Sequence, residues 1–184
     1  FGPSEHVDDP RMLGLGLSSL SLRRIHPWKS PFALTDRTRA ALATLRRWFR
    51  ESSLINALRN PRGILYTAIL NPKDGRKNWE DIISGFVYAF RDDRDATLLI
   101  KITYHELAEL YEDIFMYLIE LHPFKCRLIF IHGFLSGEQY EQLLLHSHFI
   151  VNASRGEGQC LPLMEFMSAG VPAVAPRNSA MGEY

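Results

Sequence analysis

From residue 64 onward, short apolar runs alternate with stretches whose apolar residues recur at helical spacing. Ile64-Leu65-Tyr66-Thr67-Ala68-Ile69-Leu70 has the length and composition of a buried strand. Trp79, Ile82, Ile83, Phe86, Val87 and Phe90 fall three and four positions apart, which predicts an amphipathic helix. The same reading gives a second strand over 97–102, a helix over 107–121 and a third strand over 127–132. A helix over 138–146, a strand over 149–151, a short helix over 162–169 and a last strand over 173–175 follow. Strands that are apolar throughout, rather than at alternate positions, are buried on both faces. Strict β/α alternation therefore predicts an α/β fold, a Rossmann-like parallel sheet with helices on both faces. Such sheets take ligands at the C-terminal ends of their strands.

The first third of the chain lacks this pattern. Residues 1–34 hold Pro3, Pro10, Pro27 and Pro31 with no sustained period, and read as irregular connection. Over 35–59, Thr35 or Asp36 can cap a helix with a broken apolar stripe through Ala40, Leu42, Leu45, Trp48, Phe49, Leu54, Ile55 and Leu58. Asn60-Pro61-Arg62-Gly63 ends it as a turn. The expected division is an irregular and helical extension over 1–61 and the α/β domain over 62–184. No closing helix follows the last strand, so the domain is expected to be truncated at its C-terminus, as a piece of a longer protein.

Composition narrows the function classes. A chain of 184 residues with 46% hydrophobic residues supports one core and an extension. Its 21 basic and 21 acidic residues cancel, so no net field draws it to nucleic acid. Cys126 and Cys160 stand far apart with no CxxC spacing, which argues against a zinc site or disulfide framework and suits a reducing cytoplasm. No apolar run reaches the roughly 18–20 residues of a membrane span, and Ser4, Glu5, Asp8 and Asp9 do not open a signal peptide.

The chemistry concentrates in Ser154-Arg155-Gly156-Glu157-Gly158-Gln159-Cys160-Leu161-Pro162-Leu163-Met164-Glu165, continuing to Ala169-Gly170. A glycine-rich loop joins a short helix here, and seven residues separate Glu157 from Glu165. Pro162 suits the first helical position, and Gly170 followed by Pro172 stops the helix. A helix opening on a glycine loop offers free N–H groups and a positive dipole end to an anion such as phosphate. Glu165, one turn inside, can then reach hydroxyls of whatever carries that phosphate.

This segment resembles the Glu-x7-Glu signature of retaining, nucleotide-sugar-dependent glycosyltransferases with the GT-B fold, the glycosyl transferases group 1 family. Leu128-Ile129-Phe130-Ile131-His132-Gly133-Phe134, His148-Phe149-Ile150-Val151-Asn152-Ala153-Ser154 and Gly170-Val171-Pro172-Ala173-Val174-Ala175 are similar to the family's surrounding sequence. The resemblance covers roughly residues 62–184 and implies the C-terminal, donor-binding half of a GT-B fold. It implies that Glu157 contacts the donor sugar and Glu165 the nucleotide ribose. Backbone around Gly158, Gln159, Cys160 and Leu161 would face the phosphates, and backbone near Gly133, Phe134 and Leu135 the base. The family usually has an aromatic and a glycine where this chain has Gln159 and Cys160, so the backbone at Cys160 is expected in an ordinary region.

A second element belongs at the same sheet edge. Asn71-Pro72-Lys73-Asp74-Gly75-Arg76-Lys77-Asn78 follows the first strand and precedes a helix. Its positive charge can neutralise a departing diphosphate. In the family this loop supplies an Arg and a later Lys; Lys77 matches the Lys, while the Arg position falls near Asn71, with Arg76 or Lys73 as replacements. In isolation such a basic turn reads as a solvated loop capping a helix; in register with the Glu157 segment it reads as a diphosphate contact.

Other patterns are weaker. Asp93-Arg94-Asp95 matches a metal-binding Asp-x-Asp but sits at the wrong end of the sheet, and reads as a solvated turn. His146 and His148 read as helix-end histidines rather than metal ligands. His132 is either a packed core histidine or a site residue. Ser154-x-x-Glu157 matches a capping box, although Gly156 and Gly158 oppose a helix there. Arg46-Arg47-Trp48-Phe49-Arg50 could touch anionic lipid, which with a lipid-linked acceptor would mean peripheral contact with the cytoplasmic membrane surface, though a charged helix face is the simpler reading.

The resemblance thus implies transfer of a sugar from a nucleoside diphosphate sugar to a carbohydrate, lipid-linked or other hydroxyl acceptor, with no metal or other cofactor. Acceptor site and part of the catalytic apparatus would lie on a preceding N-terminal GT-B domain that residues 1–61 are too short to form. Two alternatives stay open: a non-catalytic GT-B-like binding or scaffold module, and a sugar-nucleotide epimerase or phosphorylase of the same fold.

Overall fold

The structure, a computed structural model, describes Leu58, residues 63–104 and residues 108–184. The irregular connection read over 1–34, the basic segment at 46–50, the turn at 60–62 and the helix at 35–59 lie outside the described residues, Leu58 excepted.

From residue 63 onward, five parallel strands alternate with four helices among the described residues. They are β1 (Ile64–Leu70), α1 (Trp79–Phe90), β2 (Ala96–Ile102), α2 (Ala108–Leu121), β3 (Arg127–Ile131), α3 (Gly137–His146), β4 (Phe149–Val151), α4 (Leu161–Ser168) and β5 (Ala173–Val174). Two single 3-10 turns, Gly75–Lys77 and Ser179–Gly182, follow β1 and β5. The strands lie in the order β3-β2-β1-β4-β5, which is the Rossmann-like arrangement. Every pairing is parallel, with Ile69 opposite Lys101 and Lys101 opposite Ile131.

Both faces of the sheet are covered. Trp79, Ile82, Ile83, Phe86 and Val87 of α1, spaced by three and four, bury one helical stripe. With Leu110, Ile114 and Leu118 of α2 they pack on Ala68, Leu98, Ile100 and Leu128. On the opposite face Leu143 of α3 and Leu163 and Phe166 of α4 pack on Leu65, Leu99, Ile129 and Ile150, and Leu58 joins them. The interior strand β2 is buried at every position, as its unbroken apolar run requires.

Helix ends follow local chemistry. At the start of α3 Ser136 accepts from the Gln139 N–H while the Gln139 side chain accepts from the Ser136 N–H, a full capping box. Helix α4 begins at Leu161, so Pro162 takes the second helical position rather than the first; its missing N–H is harmless at either. Gly170 follows with φ +85°, the left-handed turn that ends a helix.

Candidate functional site

The chain leaves β1 toward β2 and β3, then crosses back to place β4 and β5 on the other side of β1. β1 and β4 therefore flank the topological switch point, where adjacent loops run to opposite faces and open a crevice. The loops that follow these two strands carry the basic turn and the Glu157 segment.

The β1 loop is wound tightly. Asn71 Oδ1 accepts from the Lys73 N–H at 3.0 Å and the Asn71 carbonyl from the Asp74 N–H at 3.1 Å. Asn71 is thus a turn former, and no hydrogen bond or ion pair joins it to Glu157 among the described residues. Asp74 Oδ1 caps the following 3-10 turn by accepting from the Arg76 N–H, and Asn78 adopts φ +56° to launch α1. Asparagine tolerates that left-handed conformation better than most residues. Lys73 pairs with Asp113 at 3.6 Å, which turns it from the crevice loop to α2.

Glu157 receives the basic residues of this turn. Its side chain is only 3% exposed. Oε2 accepts from Arg76 Nη1 at 2.5 Å, and Oε1 accepts from Lys77 Nζ at 2.5 Å and from Ser154 Oγ at 2.6 Å. Arg76 also donates to the Gly156 carbonyl at 2.8 Å, and the Arg155 N–H donates to the Arg76 carbonyl at 2.8 Å. Asn78 Nδ2 donates to the Ala153 carbonyl at 3.2 Å. The two loops are thus sewn together by charge and backbone. Ser154 binds the Glu157 side chain directly instead of forming the capping box that its spacing suggests.

Burial pushes the Glu157 carboxyl up, but hydrogen bonds from Lys77, Ser154 and Arg76, with the Lys77 charge, outweigh it and hold the carboxyl below its ordinary value of 4.5. Arg76 is raised in turn by its hydrogen bond to Glu157 and the Glu157 charge. A depressed carboxyl contributes stability that is complete above its unfolded value and lost as pH falls through the folded one. Thermal melts should therefore show a constant midpoint above about pH 5 and a falling one below about pH 4.5. Glu157→Gln should flatten that decline; an equal decline in both proteins would place the acid sensitivity elsewhere.

A third wall comes from the segment after β5. Ser179, at φ +47°, accepts the Glu157 N–H on its hydroxyl at 2.9 Å, and the Ala180 N–H donates to the Glu157 carbonyl at 3.2 Å. Asn178 Nδ2 reaches the Ser154 carbonyl at 3.5 Å. Ser154, Asn78, Asn178 and Ser179 escape the sequence reading. Only Ser154 carried a signal, as half of an apparent capping box.

Glu165 stands exposed on α4, where Tyr140 of α3 donates to its Oε2 at 2.5 Å. Burial, followed by the hydrogen bond to Glu165, raises the Tyr140 phenol far above its usual range, so it stays a donor. The two residues line an open groove with Leu144, Leu161, Met164 and Ser168. Cys160 is buried, with φ −95° and ψ 82°, on the negative-φ side but between the helical and extended regions, and its Sγ accepts from Asn152 Nδ2 at 3.2 Å. The Cys160 N–H, expected to face phosphate, instead donates to the Tyr184 hydroxyl at 3.1 Å. A phosphate must displace that hydroxyl or use neighbouring N–H groups. Gly158, Gln159 and Leu161 are exposed at the mouth of the loop. A Cβ added at Gly156 or Gly158 would meet nothing within 4 Å, so the space above the loop is open.

Gly133 and Phe134 follow β3, the edge strand, two strands from β1. Gly133 has φ +94° and Phe134 is 71% exposed. No hydrogen bond or ion pair joins them to Glu157, Arg76 or Lys77 among the described residues. His132 Nε2 lies 2.6 Å from the Tyr104 carbonyl, tying β3 to the β2 loop. His146 Nδ1 lies 2.8 Å from the Gln142 carbonyl at the helix end, as read. His148 differs: its Nδ1 accepts from the Leu65 N–H at 3.2 Å, so it serves the sheet rather than the helix end. Asp93 Oδ1 accepts the Asp95 N–H in an exposed turn before β2, at the end of the sheet away from the crevice.

Among the described residues no helix is long and apolar enough to cross a membrane, and no group of three or more His, Cys, Asp or Glu is placed to hold a metal ion. No model of a known protein family matches the chain, and no curated protein matches it.

Proposed function

We propose that the chain carries the donor half-site of a retaining, nucleotide-sugar-dependent glycosyltransferase of the GT-B type. The observation that carries this reading is the convergence of Arg76 and Lys77 on Glu157 across the β1–β4 switch point. Two cations and a carboxylate, drawn from loops 80 residues apart, meet where open parallel sheets bind ligands. In transfer, the bond from the sugar C1 to the diphosphate oxygen breaks while an acceptor hydroxyl oxygen bonds to C1, and negative charge grows on the departing diphosphate. Arg76 and Lys77 stabilise that charge, helped by the first N–H groups of α4. Glu157, released from them, turns its carboxylate to the donor sugar. Glu165 keeps Oε1 for the ribose hydroxyls while Tyr140 holds Oε2. The acceptor, carbohydrate, lipid-linked or another hydroxyl compound, approaches from a separate domain.

Calorimetric titration with UDP, GDP and ADP tests the reading. One of the three should bind saturably, and Glu165→Ala should weaken it by about tenfold, the value of a charge-assisted hydrogen bond. A folded chain that binds none of them overturns the proposal. The complete engagement of Glu157 favours a second reading, a non-catalytic module in which the same residues only clasp two loops.

A further inference from the structure

Lys101 has no role in the site described above. It is the only charged residue of β2 and only 8% exposed. Its register partners are Ile69 of β1 and Ile131 of β3, so it stands on the sheet face covered by α3 and α4, close to the C-terminal edge. Nζ donates to the Ile102 carbonyl at 2.8 Å. An ammonium has three donors, so two remain without a protein acceptor, and no carboxylate pairs with the charge, among the described residues. Burial alone pushes its pKa down. An uncompensated buried ammonium is costly, and buried polar groups are almost always hydrogen-bonded. Two donors are thus available to an acceptor from outside the chain.

The position indicates which acceptor. Diphosphate charge belongs with Arg76 and Lys77 at the β1–β4 crevice. Neighbouring strands lie about 4.8 Å apart, so the end of β2 is about 10 Å from that of β4. A nucleotide with its phosphates over the crevice and its base laid toward Gly133, after β3, passes over the end of β2. We infer that Lys101 reads the base of the bound nucleotide: its free ammonium donors take an exocyclic ring carbonyl oxygen, selecting uracil or guanine over adenine. Adenine carries no such oxygen and presents an amino donor against a cation. This inference rests on the donor-site reading.

The test uses the full chain, titrated with UDP, GDP and ADP, beside Lys101→Met and Lys101→Gln. Wild type is expected to bind UDP or GDP more tightly than ADP by about 10- to 100-fold, the worth of a hydrogen bond to a charged group. Lys101→Met should bring that ligand down to the ADP level and keep or raise the melting temperature, since it removes an unpaired buried charge. Lys101→Gln, which retains an N–H donor, should restore part of the preference. If Lys101→Met melts lower and keeps the wild-type preference, the lysine serves only to cap the Ile102 carbonyl, and the inference fails while the donor reading stands. Preference for ADP in the wild type has the same meaning. If none of the three nucleotides binds the folded wild type, the donor reading fails and takes the inference with it.

Discussion

Gly63→Ala is expected to lower the unfolding free energy by about 3 kcal/mol, combining the penalty of a left-handed non-glycine residue with a steric clash. Gly63 precedes β1 with φ +67°, and an added Cβ would lie 2.0 Å from the Asp95 carbonyl oxygen and 2.7 Å from its carbonyl carbon. Both atoms are backbone, so no side chain can turn aside. The same oxygen accepts the Ile64 N–H at 3.0 Å, the bond that sets the β1–β2 register from Ile64 opposite Ala96 onward. Relief of the clash would lengthen that bond and push β2 away from β1, the central strand of the sheet. A domain of this size should lose about 10 °C in melting temperature. Gly158→Ala is the internal comparison: its Cβ meets nothing within 4 Å and its φ is ordinary, so its melt should match wild type. Equal melts for Gly63→Ala and wild type would show that the strand entry can open without loss.

The contrast between these glycines marks what a sequence discloses. Strand β1 agrees with its predicted limits at both ends, because an unbroken apolar run lies between Gly63 and Asn71-Pro72. Strand β4 agrees at both ends as well, and several other ends move by one residue, as with Ala96 joining β2 and Leu161 opening α4. Such ends depend on single hydrogen bonds rather than periodicity. Alternation of strands and helices disclosed the parallel sheet with both faces covered, and so the edge on which Glu157 and Lys77 both lie. It did not disclose strand order, which depends on the side to which each crossover passes. The pairing of Glu157 with Arg76 and Lys77 was hidden for another reason. The family resemblance gave each group to a donor, and nothing in their spacing says that they pair with each other without one. The Tyr184 hydroxyl on the Cys160 N–H is a contact across 24 residues with no pattern behind it. Lys101 was read as part of a strand, since one polar residue does not alter an apolar run.

The clasp and the donor site make opposite predictions for one pair of substitutions. If Arg76 and Lys77 await a diphosphate, Glu157 is the anion that occupies them meanwhile, and the two anions compete. Glu157→Gln should then tighten binding of the preferred nucleoside diphosphate by about tenfold, since the neutral amide holds the cations more weakly than a carboxylate does. Lys77→Met should weaken the same ligand by about 100-fold, the usual loss when one donor to a charged phosphate oxygen is removed. The Lys77 side chain is 18% exposed against 48% for Arg76, so solvent screens it less and its loss should be the larger of the two. The donor carrying its sugar should gain less from Glu157→Gln than the bare nucleotide, because the amide also forfeits charge toward the sugar hydroxyls. A purely structural clasp gives another outcome: both substitutions lower the melting temperature, and neither shifts nucleotide affinity in a consistent direction. Titrations of the two variants beside wild type, each checked by its melt, separate a site that trades one anion for another from a pair of loops merely pinned together.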